Sequence, residues 1–265
     1  MPLYKIIPVI IFCLVCFGSN AQPAQIVERN TRQYLDSLDN WDSKERSGHE
    51  VLDSGYKTTL RMINYLDDAL GSVPGTFDAD FASSKGVRKF RILTSDDNKL
   101  RIYNWNVDTV VCPAYDAIAQ YKSGGKVYTD VLSNTMWGTG TVIWSGSLYQ
   151  KLITVHAKSG KTIYLALSHS GYSDLNCITI IQAYSIAGNK LIREPIFRSA
   201  RGWEKEIDID SYTIILKNEP SIALSPDNKQ IYVPVFNYDK DTFKGYYRRY
   251  QFNGYAFVYK GNVKR

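Results

Sequence analysis

Phe90-Arg91-Ile92-Leu93-Thr94-Ser95-Asp96-Asp97-Asn98-Lys99-Leu100-Arg101-Ile102-Tyr103-Asn104-Trp105 decides how the rest of the chain is read. Partial apolar alternation up to Leu93 gives a strand. Asp97-Asn98-Lys99 gives a turn, and Leu100-Arg101-Ile102-Tyr103 gives a second strand. Asn and Asp tolerate the positive φ of a tight hairpin, Lys keeps the tip in water, and an aliphatic–aromatic pair restarts the strand. The same signature returns five times. Gly124-Gly125-Lys126 precedes Val127-Tyr128, Ser159-Gly160-Lys161 precedes Ile163-Tyr164, and Gly188-Asn189-Lys190 precedes Leu191-Ile192. Asp227-Asn228-Lys229 precedes Ile231-Tyr232, and Asn253-Gly254 precedes Val258-Tyr259.

Between these tips lie runs rich in Ile, Val, Thr and Tyr: 127–132, 151–156, 163–167, 178–184, 212–216 and 231–236. These are strand compositions. The chain from residue 83 to residue 265 is therefore expected to be mainly β and antiparallel. Two architectures fit. One is a propeller-like or meander β-domain, and the other is a β-sandwich or barrel. The tips recur at intervals of about 25 to about 40 residues, near a propeller-blade period but irregular.

Residues 22–82 have a different period. Ile26, Tyr34, Leu35 and Leu38 form one apolar stripe, and Leu52, Tyr56, Leu60, Ile63, Leu66 and Leu70 form another, both at three- and four-residue spacing. Asn40 to Gly48 is polar and turn-like. Gly71 and Pro74 supply stop signals. One short and one longer helix are expected as a lead-in to the β-domain.

Residues 1–21 read as a secretory signal peptide. Lys5 is the sole charge, Ile6 to Phe17 is apolar, and Ser19-Asn20-Ala21 is a small-x-small cleavage site before Gln22. That run is shorter than the roughly 20 apolar residues of a membrane span. The reading is an exported protein, periplasmic or extracellular, without a membrane span. Val15 and Phe12 precede Cys16 and Cys13, where a lipoprotein signal has a small residue. That leaves Cys112 and Cys177, a possible disulfide in an oxidising compartment.

The formal charge is +6, from 32 Lys+Arg and 26 Asp+Glu. The cations are spread along the chain, Arg248-Arg249 is the densest pair, and no basic run of five exists, so nucleic acid is not an expected partner. The unusual composition is aromatic: 20 Tyr, 10 Phe and 5 Trp.

Two resemblances accompany this reading. Ser225-Pro226-Asp227-Asn228-Lys229-Gln230-Ile231-Tyr232 resembles the blade turn of the TolB and YncE-like propeller class. The Phe90–Trp105 segment resembles a group of uncharacterised exported proteins of the Bacteroidetes, in which a run such as SSDGKLRIYSWD follows a helical region. That group continues with Gly-Gly-Thr, where this chain has Thr109-Val110-Val111-Cys112. The resemblance implies source and compartment, with no activity attached.

Signatures of chemistry are sparse. His49, His156 and His169 lie in no zinc pattern, and Gly138-Thr139-Gly140 lacks the ending of a phosphate loop, so neither a metal nor a cofactor is implied. Ser168-His169-Ser170-Gly171-Tyr172-Ser173-Asp174 is the most suggestive polar cluster. It reads as a polar loop after the strand 163–167, without a nucleophile-elbow pattern. Trp105, Trp137, Trp144 and Trp203 fall in or beside expected turns. Tyr255, Phe257 and Tyr259 alternate onto one strand face. Trp137, Trp144, His169 and Tyr172 are the candidate ligand-binding residues. The sequence points first to a non-enzymatic binding or interaction module for a glycan or an envelope protein. A secreted hydrolase with a carboxylate or Ser/His site is the alternative.

Overall fold

The computed structural model describes residues 21–43, 49–107, 114–133, 136–137, 142–144, 146–173, 176–211, 221–237 and 242–265. Helices α1 (Ala21–Ser43) and α2 (His49–Ser72) come first. On α1 the buried residues are Ala24, Val27, Thr31, Leu35 and Leu38, the narrow stripe that a helix packed on one side requires. Helix α1 runs on through the polar stretch to Ser43, so both helices are long rather than one short and one long. After α2 the chain tightens into a single 3-10 turn, Pro74–Phe77.

Strands β1 (Arg91–Thr94), β2 (Leu100–Asn106), β3 (Tyr115–Ser123) and β4 (Lys126–Ser133) form the first sheet, in chain order and antiparallel. A small hairpin, β5 (Met136–Trp137) with β6 (Val142–Trp144), follows. The second sheet holds β7 (Ser147–His156), β8 (Thr162–Ser173), β9 (Asn176–Ala187) and β10 (Lys190–Arg193), with β13 (Glu206–Ser211) also paired to β9. The third sheet is ordered β12-β11-β17-β16-β15-β14. Its strands are β11 (Phe197–Ser199), β12 (Gly202–Glu204), β14 (Ala223–Leu224), β15 (Gln230–Asn237), β16 (Thr242–Phe252) and β17 (Phe257–Val263). The β11–β17 pair is parallel. The protein is thus mainly β and antiparallel behind two helices, and the described strands close into neither a barrel nor a propeller.

Each sheet contains a four-stranded up-and-down meander. All six expected tips are found: β1–β2, β3–β4, β7–β8, β9–β10, β14–β15 and β16–β17. In such a meander the first and third connections lie at one end, so the tips gather there. Lys158 N–H donates to Gly254 O at 2.7 Å and joins tips of the second and third sheets. Two tips repeat one design. Ser95 Oγ donates to Asp97 Oδ1 at 2.7 Å and accepts from Leu100 N–H at 3.0 Å, while Asn98 takes φ +53°. Ser225 Oγ donates to Asp227 Oδ1 at 2.5 Å and accepts from Gln230 N–H at 2.9 Å, while Asn228 takes φ +56°. Side chains at both tips do what the sequence expects of Asx-type turns.

The sheets stack face to face. The helices cover one face of the first sheet, burying Leu35, Leu66 and Leu70 against Tyr103, Trp105 and Ile118. Trp105 is therefore a fully buried strand residue and not a turn residue. The other face of the first sheet meets the second through Leu100, Ile102, Tyr121, Tyr149, Tyr164 and Tyr184. The second meets the third through Ile153, Ile163, Leu165, Ile181, Ile231, Val233 and Phe257. Alternate residues of β8 serve the two cores, Tyr164 and Ala166 on one side and Ile163 and Leu165 on the other, as the period of two demands.

The tyrosine surplus has a physical reason. Between the first two sheets, rings fill the gap and hydroxyls find polar partners. The Tyr164 hydroxyl donates across it to Asp97 Oδ2 at 2.9 Å, the Tyr121 hydroxyl lies 3.0 Å from Asn189 O across it, and Tyr184 donates to Gln182 Oε1 of its own strand at 2.7 Å. Burial pushes the hydroxyls of Tyr121, Tyr149, Tyr164 and Tyr184 above the usual phenol range, so they stay protonated donors.

Candidate functional site

The residues 168–174 do not form a loop up to Ser173. Strand β8 runs through Ser173, because the ladder to β9 continues with His169 opposite Thr179 and Ser170 opposite Ile178. Neighbouring strand residues face opposite ways. Ser168 shares the side of Tyr164 and Ala166, toward the first sheet, and His169 shares the side of Leu165 and Leu167, toward the third. They therefore cannot act as a nucleophile–base pair on each other. Ser168 is fully buried, and its Oγ has no hydrogen-bond partner among the described residues. His169 Nδ1 lies 2.8 Å from Thr179 Oγ1.

Burial holds the His169 imidazole below its ordinary value of 6.5. The unfolded chain thus takes up a proton near pH 6.5 that the folded chain resists. His169 contributes no penalty above that pH and a growing one as pH falls below it. Urea midpoints taken from pH 7.5 to pH 5.5 should fall more steeply for the wild type than for His169→Gln. Parallel curves would remove this role for the imidazole.

Trp137 and Trp144 lie on the β5–β6 hairpin, with Met136 opposite Trp144, and Tyr172 lies on β8. The side chains of these three residues lie outside the described set. Cys177 stands on β9 opposite Gly171 and Ser211, and Cys112 lies outside the described residues. Among the described residues no group of three His, Cys, Asp or Glu is placed to hold a metal, and no helix is long and apolar enough to cross a membrane.

The surface with a composition of its own is the outer face of the third sheet, away from the second. Register defines it. Trp203 on β12 pairs with Arg198 on β11, Arg198 with Val258 on β17, Val258 with Gln251 on β16, and Gln251 with Gln230 on β15. Directly paired residues share a face, so these five form one row. At about 4.8 Å per strand the row is about 19 Å long. A second row sets Tyr232 opposite Arg249. Arg265 lies over the Tyr232 ring at 4.7 Å, and Arg198 over the Trp203 ring at 5.6 Å. The Tyr232 hydroxyl donates to Gln230 Oε1 at 2.8 Å. Trp203 is 57% exposed.

Of the aromatic run at the end of the chain, Phe257 and Tyr259 do turn inward to the core. Tyr255 stands in the turn before β17 instead, 62% exposed.

Sequence reasoning selected none of the row's residues as a site. Trp203 was visible as a tryptophan beside a turn, with Arg201 and Gly202 before it. Its partner Arg198 gains meaning only through the hairpin register. The chain matches no protein-family model and no curated protein.

Proposed function

We propose that this chain is an exported binding module that holds a glycan on the outer face of its third sheet. The observation that carries the reading is the exposed Trp203 ring at one end of a row continued by Arg198, Val258, Gln251 and Gln230. A sugar presents an apolar C–H face to a ring and hydroxyls to flanking amides. Trp, Gln and Arg in one plane meet both requirements. Export is supported by the signal-like residues 1–21. The three four-stranded meanders stack like successive blades, which favours an open, propeller-like arrangement over a sandwich or barrel.

Affinity electrophoresis through gels carrying a panel of polysaccharides tests the reading. Trp203→Ala is expected to weaken retention by about tenfold, in line with a stacked ring worth about 1.4 kcal/mol. Its thermal midpoint should be unchanged, because the ring is outside every core. Retention unaffected by Trp203→Ala would count against this face.

A further inference from the structure

Resting on the glycan reading, we infer that the ligand of this face is an anionic polysaccharide, bound through its carboxylate or sulfate groups. Four cations converge on the face. Arg198, Arg249 and Arg265 are placed by the register and ring contacts above, and Lys260 follows Tyr259, whose ring turns inward. Other positions that the register sets on this face include Trp203, Ala223, Gln230, Tyr232 and Gln251. None of these is acidic.

The ring contacts of two of these arginines are the second observation. Arg198 stacks on Trp203 and Arg265 on Tyr232. Ring stacking orients a guanidinium without neutralising it, so its charge stays available. Arg249 Nε is buried and has no hydrogen-bond partner among the described residues. A planar guanidinium meets a carboxylate or sulfate with two parallel hydrogen bonds, which an ammonium cannot do. The row crosses five strands, so it suits an extended chain bearing repeated negative groups. A second copy of the same face would bring like charges together, and that excludes self-pairing as its occupant.

The test uses the full chain with polygalacturonate, dextran sulfate and neutral dextran, together with a single-stranded oligonucleotide as competitor. Retention by an anionic polysaccharide and not by neutral dextran supports the inference. Preference for polygalacturonate assigns carboxylate as the group recognised, and preference for dextran sulfate assigns sulfate. The triple variant Arg198→Gln/Arg249→Gln/Arg265→Gln is expected to lose at least about 30-fold in affinity with its thermal midpoint kept. Raising salt from about 0.05 M to about 0.3 M should weaken binding about tenfold. Equal retention by neutral dextran, or full affinity in the triple variant, overturns the anionic class but leaves the glycan reading standing. Tighter binding of the oligonucleotide than of either polysaccharide also overturns it. Failure to bind any polysaccharide overturns both.

Discussion

Phe257→Ala is expected to lower the free energy of unfolding by about 4 kcal/mol, the upper part of the range for deleting a buried aromatic ring. Phe257 is fully buried between the second and third sheets. Its ring lies 5.0 Å from that of Phe252 and 6.0 Å from that of Phe197, and its N–H donates to Ile196 O at 2.9 Å. It sits where β17 receives the parallel strand β11, opposite Phe197. Phe197 and Phe252 beside it are strand residues held by ladder pairing, which limits collapse into the gap. Equilibrium urea unfolding measures the loss, and Phe257→Leu should recover more than half of it. Because a domain of this size holds only about 5–15 kcal/mol in total, the alanine variant should also be visibly less soluble on expression. A loss under about 1 kcal/mol would mean that the two sheets do not share a core here.

The second large effect belongs to Arg101. Its guanidinium is buried at the foot of the helical layer and, among the described residues, bonds no carboxylate. It donates to Thr76 O at 3.1 Å, to Ala79 O at 2.9 Å and to Phe77 O. These carbonyls end a 3-10 turn, where unpaired C=O groups carry partial negative charge. The rings of Phe77 and Tyr103 flank the guanidinium at 5.8 and 5.3 Å. Gln120 extends the clamp, donating from Nε2 to Leu70 O at 2.7 Å and to Thr76 Oγ1 at 2.8 Å. Arg101→Met preserves the apolar stem but removes the side-chain donor from Phe77 O and Ala79 O, while Thr76 O keeps the Tyr103 hydroxyl, and this should cost about 3 kcal/mol. Arg101→Lys should recover little, since one ammonium cannot reach three carbonyls in a fixed fork. Limited proteolysis gives the independent readout: cleavage within residues 74–86 should speed up in Arg101→Met before the sheets are attacked. Unchanged proteolysis and stability together would show that the turn is held by the helices alone.

These two residues also mark what could be read from the sequence and what could not. Phe257 is legible in the sequence as sharing a strand face with Tyr259, because period-two alternation is local, and only the packing of the sheets makes that face the inner one. Arg101 looked like an ordinary polar position of a strand, and its three acceptors come from a turn about 25 residues earlier. Ser168 to Ser173 looked like a loop because Ser and Gly favour turns. Pairing with β9 overrides that preference, since each added ladder bond holds backbone that would otherwise be unpaired. Trp105 was placed near a turn by its polar neighbours and is instead clamped beneath the helices.

The hairpin signature in Phe90 to Trp105 specifies its turn for a definite reason. A tight turn needs positive φ within a few consecutive residues, and only Gly, Asn and Asp supply it cheaply. Six hairpin tips, the strands on either side and the mainly β, antiparallel character were therefore carried by local chemistry. Which sheets stack, and which side of each faces water, was decided by contacts between residues far apart in the chain. The cations show the difference most clearly. Along the sequence Arg198, Arg249, Lys260 and Arg265 are scattered and read as a solvated surface. The parallel register of β11 on β17, together with the meander β15–β16–β17, brings them onto one face beside Trp203. Electrostatic character is a property of neighbours in space, and strand pairing across some 60 residues, which no local propensity encodes, made these residues neighbours.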